Sequence, residues 1–211
     1  MARFLEFEGV DAVLFDCDGV LVDSEPVSEW AWRSTLEEVG LELGDFSDWV
    51  GKTDQALGVA FSAAAGVSAS RLVDRAAEYL ASRLADEPIA LFEDAQQALD
   101  RALASDLEVA VVSNSEAWRL DALLTSAKIA DRFRVKVSSD DVARPKPEPD
   151  VYLRAAELVG KAPSRCLVVE DSPTGVASAR AAGMRVVAVS RGVFDPSDLA
   201  HATRVVESLS N

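Results

Sequence analysis

The sequence is poor in sulfur and in histidine. Its 211 residues include two cysteines and one histidine. Cys17 and Cys166 lie far apart and outside any CxxC pattern, so the expected setting is reducing and cytoplasmic. His201 falls outside every motif considered below. Positive charge is also scarce, with 21 Lys+Arg against 36 Asp+Glu and a net charge of −15. A general nucleic-acid binder needs a basic face to release counterions, and an anionic membrane surface attracts basic segments. Neither nucleic acid nor membrane is therefore an expected partner. The opening stretch, residues 1–15, has Glu6, Glu8 and Asp11 inside its apolar run, which fits neither a signal peptide nor a spanning helix. Internal repeats and low-complexity tracts are absent.

Core-forming material is plentiful: 49% of the residues are hydrophobic and 27% charged, which argues against disorder. The length suits one large domain or two small ones. Short β-branched runs alternate with helical patterns. The strand candidates are Ala12–Phe15, Val109–Val112, Val135–Val137, Cys166–Val169, Val186–Val189 and a weaker Val205–Val206. Most are continuous apolar runs, the pattern of strands covered on both faces. Helices are predicted at Asp94–Ala104, Ala117–Ala127, Val151–Val159 and Thr174–Ala182, with Ser115 and Asp150 as N-caps and Gly160 and Gly183 as terminators. This alternation predicts an α/β fold, a doubly wound parallel sheet with right-handed crossovers.

One stretch breaks the rhythm. From about Pro26 to Glu87 the pattern is helical only, at Pro26–Val39, Asp54–Ala65 and Ser68–Ala85. Three of the four tryptophans, Trp30, Trp32 and Trp49, fall there and read as core of a small helical module. The expected domains are an α/β core of residues 1–22 and 88–211 and a helical cap of residues 23–87, with hinges at Val22–Glu25 and Asp86–Ala90.

The residues after each apolar run carry the chemistry. The first strand is followed by Asp16-Cys17-Asp18-Gly19, the second by Ser113-Asn114-Ser115 and the fourth by Glu170-Asp171-Ser172. The third leads through a short loop to Arg144-Pro145-Lys146-Pro147. In a parallel sheet these positions share the carboxyl edge, where open α/β folds bind ligands. Ionised Asp16, Glu170 and Asp171 carry −3 against +1 from Lys146, so the empty site repels itself. One magnesium ion balances this sum if Asp18 is protonated. Magnesium suits a site with few carboxylates and a phosphate oxygen, so a phosphorylated small molecule is the expected ligand.

These residues form four ordered motifs that resemble those of the haloacid dehalogenase (HAD) superfamily. Phe15–Glu25 is similar to its first motif and Val112-Ser113-Asn114 to its second. Pro145–Asp150 is similar to the third, and Glu170–Val176, running into Ala181–Met184, to the fourth. The helical insert resembles the cap of the branch containing β-phosphoglucomutase and many small phosphatases. The resemblance implies that Asp16 is the nucleophile and that Asp18 is the general acid and base. It also implies that Ser113 binds the transferring phosphoryl group and that Lys146 offsets its charge. Asp16, the Asp18 main chain, Glu170 and Asp171 are the implied magnesium ligands. Gly19, Asn114 and Lys52 are candidate substrate contacts, and a monomer is the implied state. Dehalogenating relatives lack the second aspartate, so Asp18 points to phosphoryl transfer.

β-Phosphoglucomutases carry a histidine in the first cap helix and an arginine in the following cap loop. This chain has no histidine in that helix and Asp54 near the arginine's place. A phosphatase is therefore favoured over a sugar-phosphate mutase. A phospho-accepting signalling domain and a catalytically silent binding protein are the remaining alternatives. Relatives also carry a Pro-Gly turn where this chain has Ala90-Leu91-Phe92-Glu93.

Overall fold

The computed structural model describes residues 9–50 and 52–210. The acidic residues Glu6 and Glu8, on which the reading of the opening stretch rests, lie outside that range. The chain divides into two compact units, Met1–Asp23 with Ala90–Asn211, and Ser24–Ile89.

The first unit contains a six-stranded parallel sheet: β1 (Ala12–Phe15), β2 (Glu108–Val112), β3 (Val135–Val137), β4 (Cys166–Glu170), β5 (Arg185–Val189) and β6 (Arg204–Val206). Its order is β3-β2-β1-β4-β5-β6, so the chain winds outward in both directions from β1. This is the expected doubly wound α/β fold. Phe15 is level with both Val111 and Val169, and the Asp16 amide donates to the Val169 carbonyl at 2.9 Å. That register sets Asp16, Ser113 and Glu170 at one edge. The helices of this unit are α4 (Glu93–Ala104), α5 (Ala117–Ser126), α6 (Asp150–Leu158) and α7 (Pro173–Ala181). Burial of Leu14, Val112, Val168, Val186, Tyr152 and Met184 makes β1, β2, β4 and β5 the floor of the core.

Two expected caps take other positions. The α5 N-terminus starts after Glu116, and the Ala117 amide donates to Asp140 Oδ2 at 2.9 Å, so the cap comes from a different loop. The Ser115 hydroxyl is thereby left to other work. Asp150 is the first residue of α6 rather than its cap, and its carboxylate accepts from Arg144. Gly160 and Gly183 do terminate their helices, with φ of +69° and +75°.

The second unit packs α1 (Glu25–Glu38), α2 (Asp54–Ala65) and α3 (Ala69–Asp86) around Trp32, Leu36, Leu57 and Leu72. Trp32 donates to Asp54 Oδ1 at 2.7 Å, which ties α1 to the start of α2. A side chain at Gly58 would collide with the Ala69 carbonyl, so glycine permits the close α2–α3 approach. Among the described residues no single helix is long and apolar enough to cross a membrane.

The Ala90–Glu93 segment needs no Pro-Gly turn. Asp23 donates to the Ala90 carbonyl at 3.0 Å, and Phe92 donates to the Leu21 carbonyl at 2.9 Å. Arg191 stacks on Phe92 at 4.0 Å and forms a two-pronged ion pair with Asp94 at 2.8 and 2.9 Å. Burial acts to raise the Asp94 carboxyl, but Arg191, the Leu209 amide and Ser208 outweigh it and hold the group below the ordinary aspartate range. Asp94→Ala would leave a buried guanidinium without its counter-charge, at a cost of about 3 kcal/mol in urea unfolding. The wild-type advantage over Asp94→Asn should be complete above the ordinary aspartate pKa. It should fade as pH falls through the lowered one, measured by unfolding across that range.

Candidate active site

The site is built around an ammonium group. Lys146 enters the carboxyl edge of the sheet from the loop before α6, and only a few per cent of its side chain is exposed. Its Nζ donates to Asp16 Oδ1, to Glu170 Oε1 at 2.8 Å and to the Val112 carbonyl at 3.0 Å. These three bonds account for its three protons. Burial works against the charge on Lys146, but Asp16 and Glu170 more than offset it, so the amine stays protonated well above the ordinary lysine range.

Glu170, at the end of β4, is fully buried, and both its oxygens are engaged. Oε1 also accepts from the Tyr152 hydroxyl at 2.9 Å. Oε2 accepts from the Asp171 and Ser172 amides at 2.9 and 3.0 Å and from the Ser172 hydroxyl at 3.0 Å. These donors lie where the chain turns into α7, whose N-terminus favours negative charge. Burial acts to raise Glu170, yet Lys146 and these hydrogen bonds prevail and lower it. A Cβ on Gly175 would overlap the Glu170 carboxylate, so this helix start tolerates no side chain there.

Asp16 and Asp171 behave in the opposite way. Burial, followed by neighbouring carboxylates, raises both well above the aspartate range: Glu170 and Asp18 add to burial at Asp16, and Glu170 and Asp16 add to it at Asp171. At Asp16 the lysine opposes the rise without cancelling it. One carboxylate oxygen from each of Asp16, Glu170 and Asp171 falls within a 4.8 Å cluster. Such a set of hard oxygen donors, desolvated and mutually repelling, fits a magnesium-sized cation. Gly19, at φ +75°, brings its main chain so close to Asp171 that a Cβ would overlap that carboxylate.

Asp18 turns toward the second motif. Its Oδ2 accepts from Ser115 at 3.1 Å and from Ser113 at 3.3 Å, and its Oδ1 lies 3.7 Å from Arg119 Nη2. Ser113 Oγ also accepts from the Ser115 amide at 3.0 Å. The Asn114 side chain bonds the Lys146 main chain in both directions, at 2.8 and 3.1 Å, and so fixes the lysine loop to the end of β2.

Comparison with known proteins gives the family. The family model described as haloacid dehalogenase-like hydrolase matches residues 13–189. The chain belongs to that family. Hexitol phosphatase A of Escherichia coli K12 is 36% identical over 190 residues, covering 87% of this chain and 84% of that protein. A HAD family hydrolase of Deinococcus radiodurans R1, solved with bound phosphate and sodium, is 31% identical. It covers 95% of this chain and 92% of that one, with a TM-score of 0.76. β-Phosphoglucomutase of Clostridium difficile shares the fold, at 21% identity and a TM-score of 0.78 over 95% and 92% of the two chains. This HAD hydrolase is of the β-phosphoglucomutase-like type.

Of the residues singled out in the sequence, the HAD core unit brings together Asp16, Asp18, Gly19, Ser113, Asn114, Lys146, Glu170 and Asp171. Lys52 lies in the other unit, exposed, with its Nζ 4.7 Å from the centre of the Trp49 ring. Tyr152, Ser115 and Arg119 escaped sequence reasoning. Tyr152 carried one usable signal, a phenol inside the apolar stripe of α6, because a buried hydroxyl needs a partner. Tyr152→Phe removes one donor from a buried carboxylate and should lower unfolding free energy by about 1.5 kcal/mol in urea titration. An unchanged midpoint would remove Tyr152 from the support of Glu170.

Proposed function

We propose that this enzyme is a magnesium-dependent phosphatase that hydrolyses a small phosphate monoester, a sugar phosphate or similar metabolite, through an aspartyl-phosphate on Asp16. The observation that carries this reading is the pairing of two aspartates in one loop with opposite surroundings. Asp16 is buried against Lys146, whereas Asp18 is partly exposed and held by hydroxyls. The phosphatase among the relatives and the phosphate-bound neighbour support the same class of reaction. Two buried free thiols, Cys17 and Cys166, suit a reducing cytoplasm.

In this mechanism an Asp16 carboxylate oxygen attacks phosphorus, and the bond from phosphorus to the leaving oxygen breaks. Asp18 delivers its proton to the departing alkoxide, then takes one from the water that attacks the aspartyl-phosphate. The bond from phosphorus to the Asp16 oxygen breaks as water adds, which restores the Asp16 carboxylate and frees inorganic phosphate. Lys146 holds Asp16 in place and offsets charge gathering on the phosphoryl oxygens, and Ser113 donates to one of them. Asp16, Asp171 and the Asp18 main-chain carbonyl would hold magnesium. Glu170, with its oxygens already committed, acts mainly by fixing Lys146 and the start of α7. Magnesium, when bound, supplies the positive charge that lets clustered carboxylates ionise and orients a phosphate oxygen.

With magnesium, the purified protein should release phosphate from at least one of fructose 1-phosphate, glucose 6-phosphate and glycerol 3-phosphate. EDTA should abolish the release, and added magnesium should restore it. Asp16→Asn should leave less than about 0.1% of the rate. Asp18→Asn should slow turnover of these alkyl esters about a hundredfold or more. Isomerisation of β-glucose 1-phosphate without phosphate release would move the chain to the mutases, and absence of any turnover would sink the enzymatic reading.

A further inference from the structure

We infer that Arg119, together with Ser115, is a positioning residue for Asp18, holding its carboxylate in the orientation from which it exchanges a proton with the leaving group. The inference rests on the phosphatase reading and deepens it. Arg119 is the third residue of α5, and helical side chains lean toward the N-terminus of their helix. Because α5 follows β2, that lean carries the guanidinium to the carboxyl edge of the sheet. Its Nη2 stands 3.7 Å from Asp18 Oδ1, while the Ser115 hydroxyl donates to the other oxygen at 3.1 Å. The separation is that of an ion pair rather than a direct hydrogen bond, so charge sets the contact and the hydroxyl sets the direction.

The location argues against a purely structural role. A cation in the first turn faces the positive end of the helix dipole, an unfavourable place for it. The Arg119 side chain is only 15% exposed, so it also forgoes most of its hydration. What offsets both is the acidic site. Asp16 and Asp171 lie near Asp18 and repel it. Lys146 has its three protons committed to Asp16, Glu170 and Val112. Arg119 therefore supplies the counter-charge at Asp18 Oδ1, and Ser115 is available because Asp140 caps the helix in its stead.

The test separates leaving groups. A p-nitrophenolate departs without a proton, whereas a sugar or glycerol alkoxide needs one. Wild type, Arg119→Gln, Arg119→Lys and Ser115→Ala are compared in magnesium on p-nitrophenyl phosphate and on the fastest alkyl ester of the panel above. Arg119→Gln should lose about tenfold or more in kcat/KM on the alkyl ester while its kcat/KM on p-nitrophenyl phosphate stays within about twofold, because kcat/KM reports transfer to Asp16 and leaves out the hydrolysis that both esters share. Arg119→Lys should recover most of the alkyl rate. Ser115→Ala, which leaves every buried charge in place, should show the same selective fall and decides the matter if the glutamine variant does not fold. Equal losses in kcat/KM on the two esters, or an undiminished kcat/KM on the alkyl ester, overturn the inference. Failure of the wild type on every ester overturns the phosphatase reading instead.

Discussion

The Lys146 ammonium is the group on which the rest of the site depends. It is buried, it spends all three protons, and its partners come from three separate strands: Asp16 after β1, the Val112 carbonyl on β2 and Glu170 on β4. A buried charge survives only when it is paired and hydrogen bonded, so these strand ends cannot drift apart without exposing an unpaired ion. The surrounding polar network serves that constraint. Tyr152 and the amides at the start of α7 hold Glu170, and Asn114 holds the lysine's own main chain.

Once Lys146 and Glu170 have satisfied each other, the remaining carboxylates are divided by environment. Asp16, buried, and Asp171, half-buried, lie among like charges and are pushed toward protonation, the condition a divalent cation relieves. Asp18, in the same loop, instead meets two hydroxyls and a guanidinium. Two aspartates two residues apart can thus meet different partners because the chain leaves β1 and bends at Cys17, which breaks the alternation that would otherwise put both side chains on one face. The chain's net charge of −15 plays a different role. It favours solubility, and its field opposes an approaching phosphate ester, so binding relies on the local arrangement of cations rather than on long-range attraction.

Caps show how the same residue types change meaning in three dimensions. Ser115 precedes a helix and has the chemistry of an N-cap, but Asp140 reaches that helix from another loop and the serine turns to Asp18. Ser172 does cap α7, accepting from the Gly175 amide, and also donates to Glu170, so one hydroxyl joins the helix start to the charge network. Asn114 follows the same logic, since its amide matches the paired donor and acceptor of a neighbouring peptide segment.

The sequence by itself determined the layers and the edge. Continuous apolar runs alternating with amphipathic stretches require a parallel sheet covered on both faces, and the polar residues that end those runs must then share one side of it. Asp16, Asp18, Ser113, Lys146, Glu170 and Asp171 were legible for that reason. Only the tertiary structure decided which charges meet. Glu170 and Lys146 are 24 residues apart, and Arg119 reaches Asp18 from 101 positions away. No periodicity encodes such pairings, because they arise from the register between strands and the lean of side chains at a helix start. Those two features made Glu170 a support for the lysine and gave Tyr152, Ser115 and Arg119 their places beside the site.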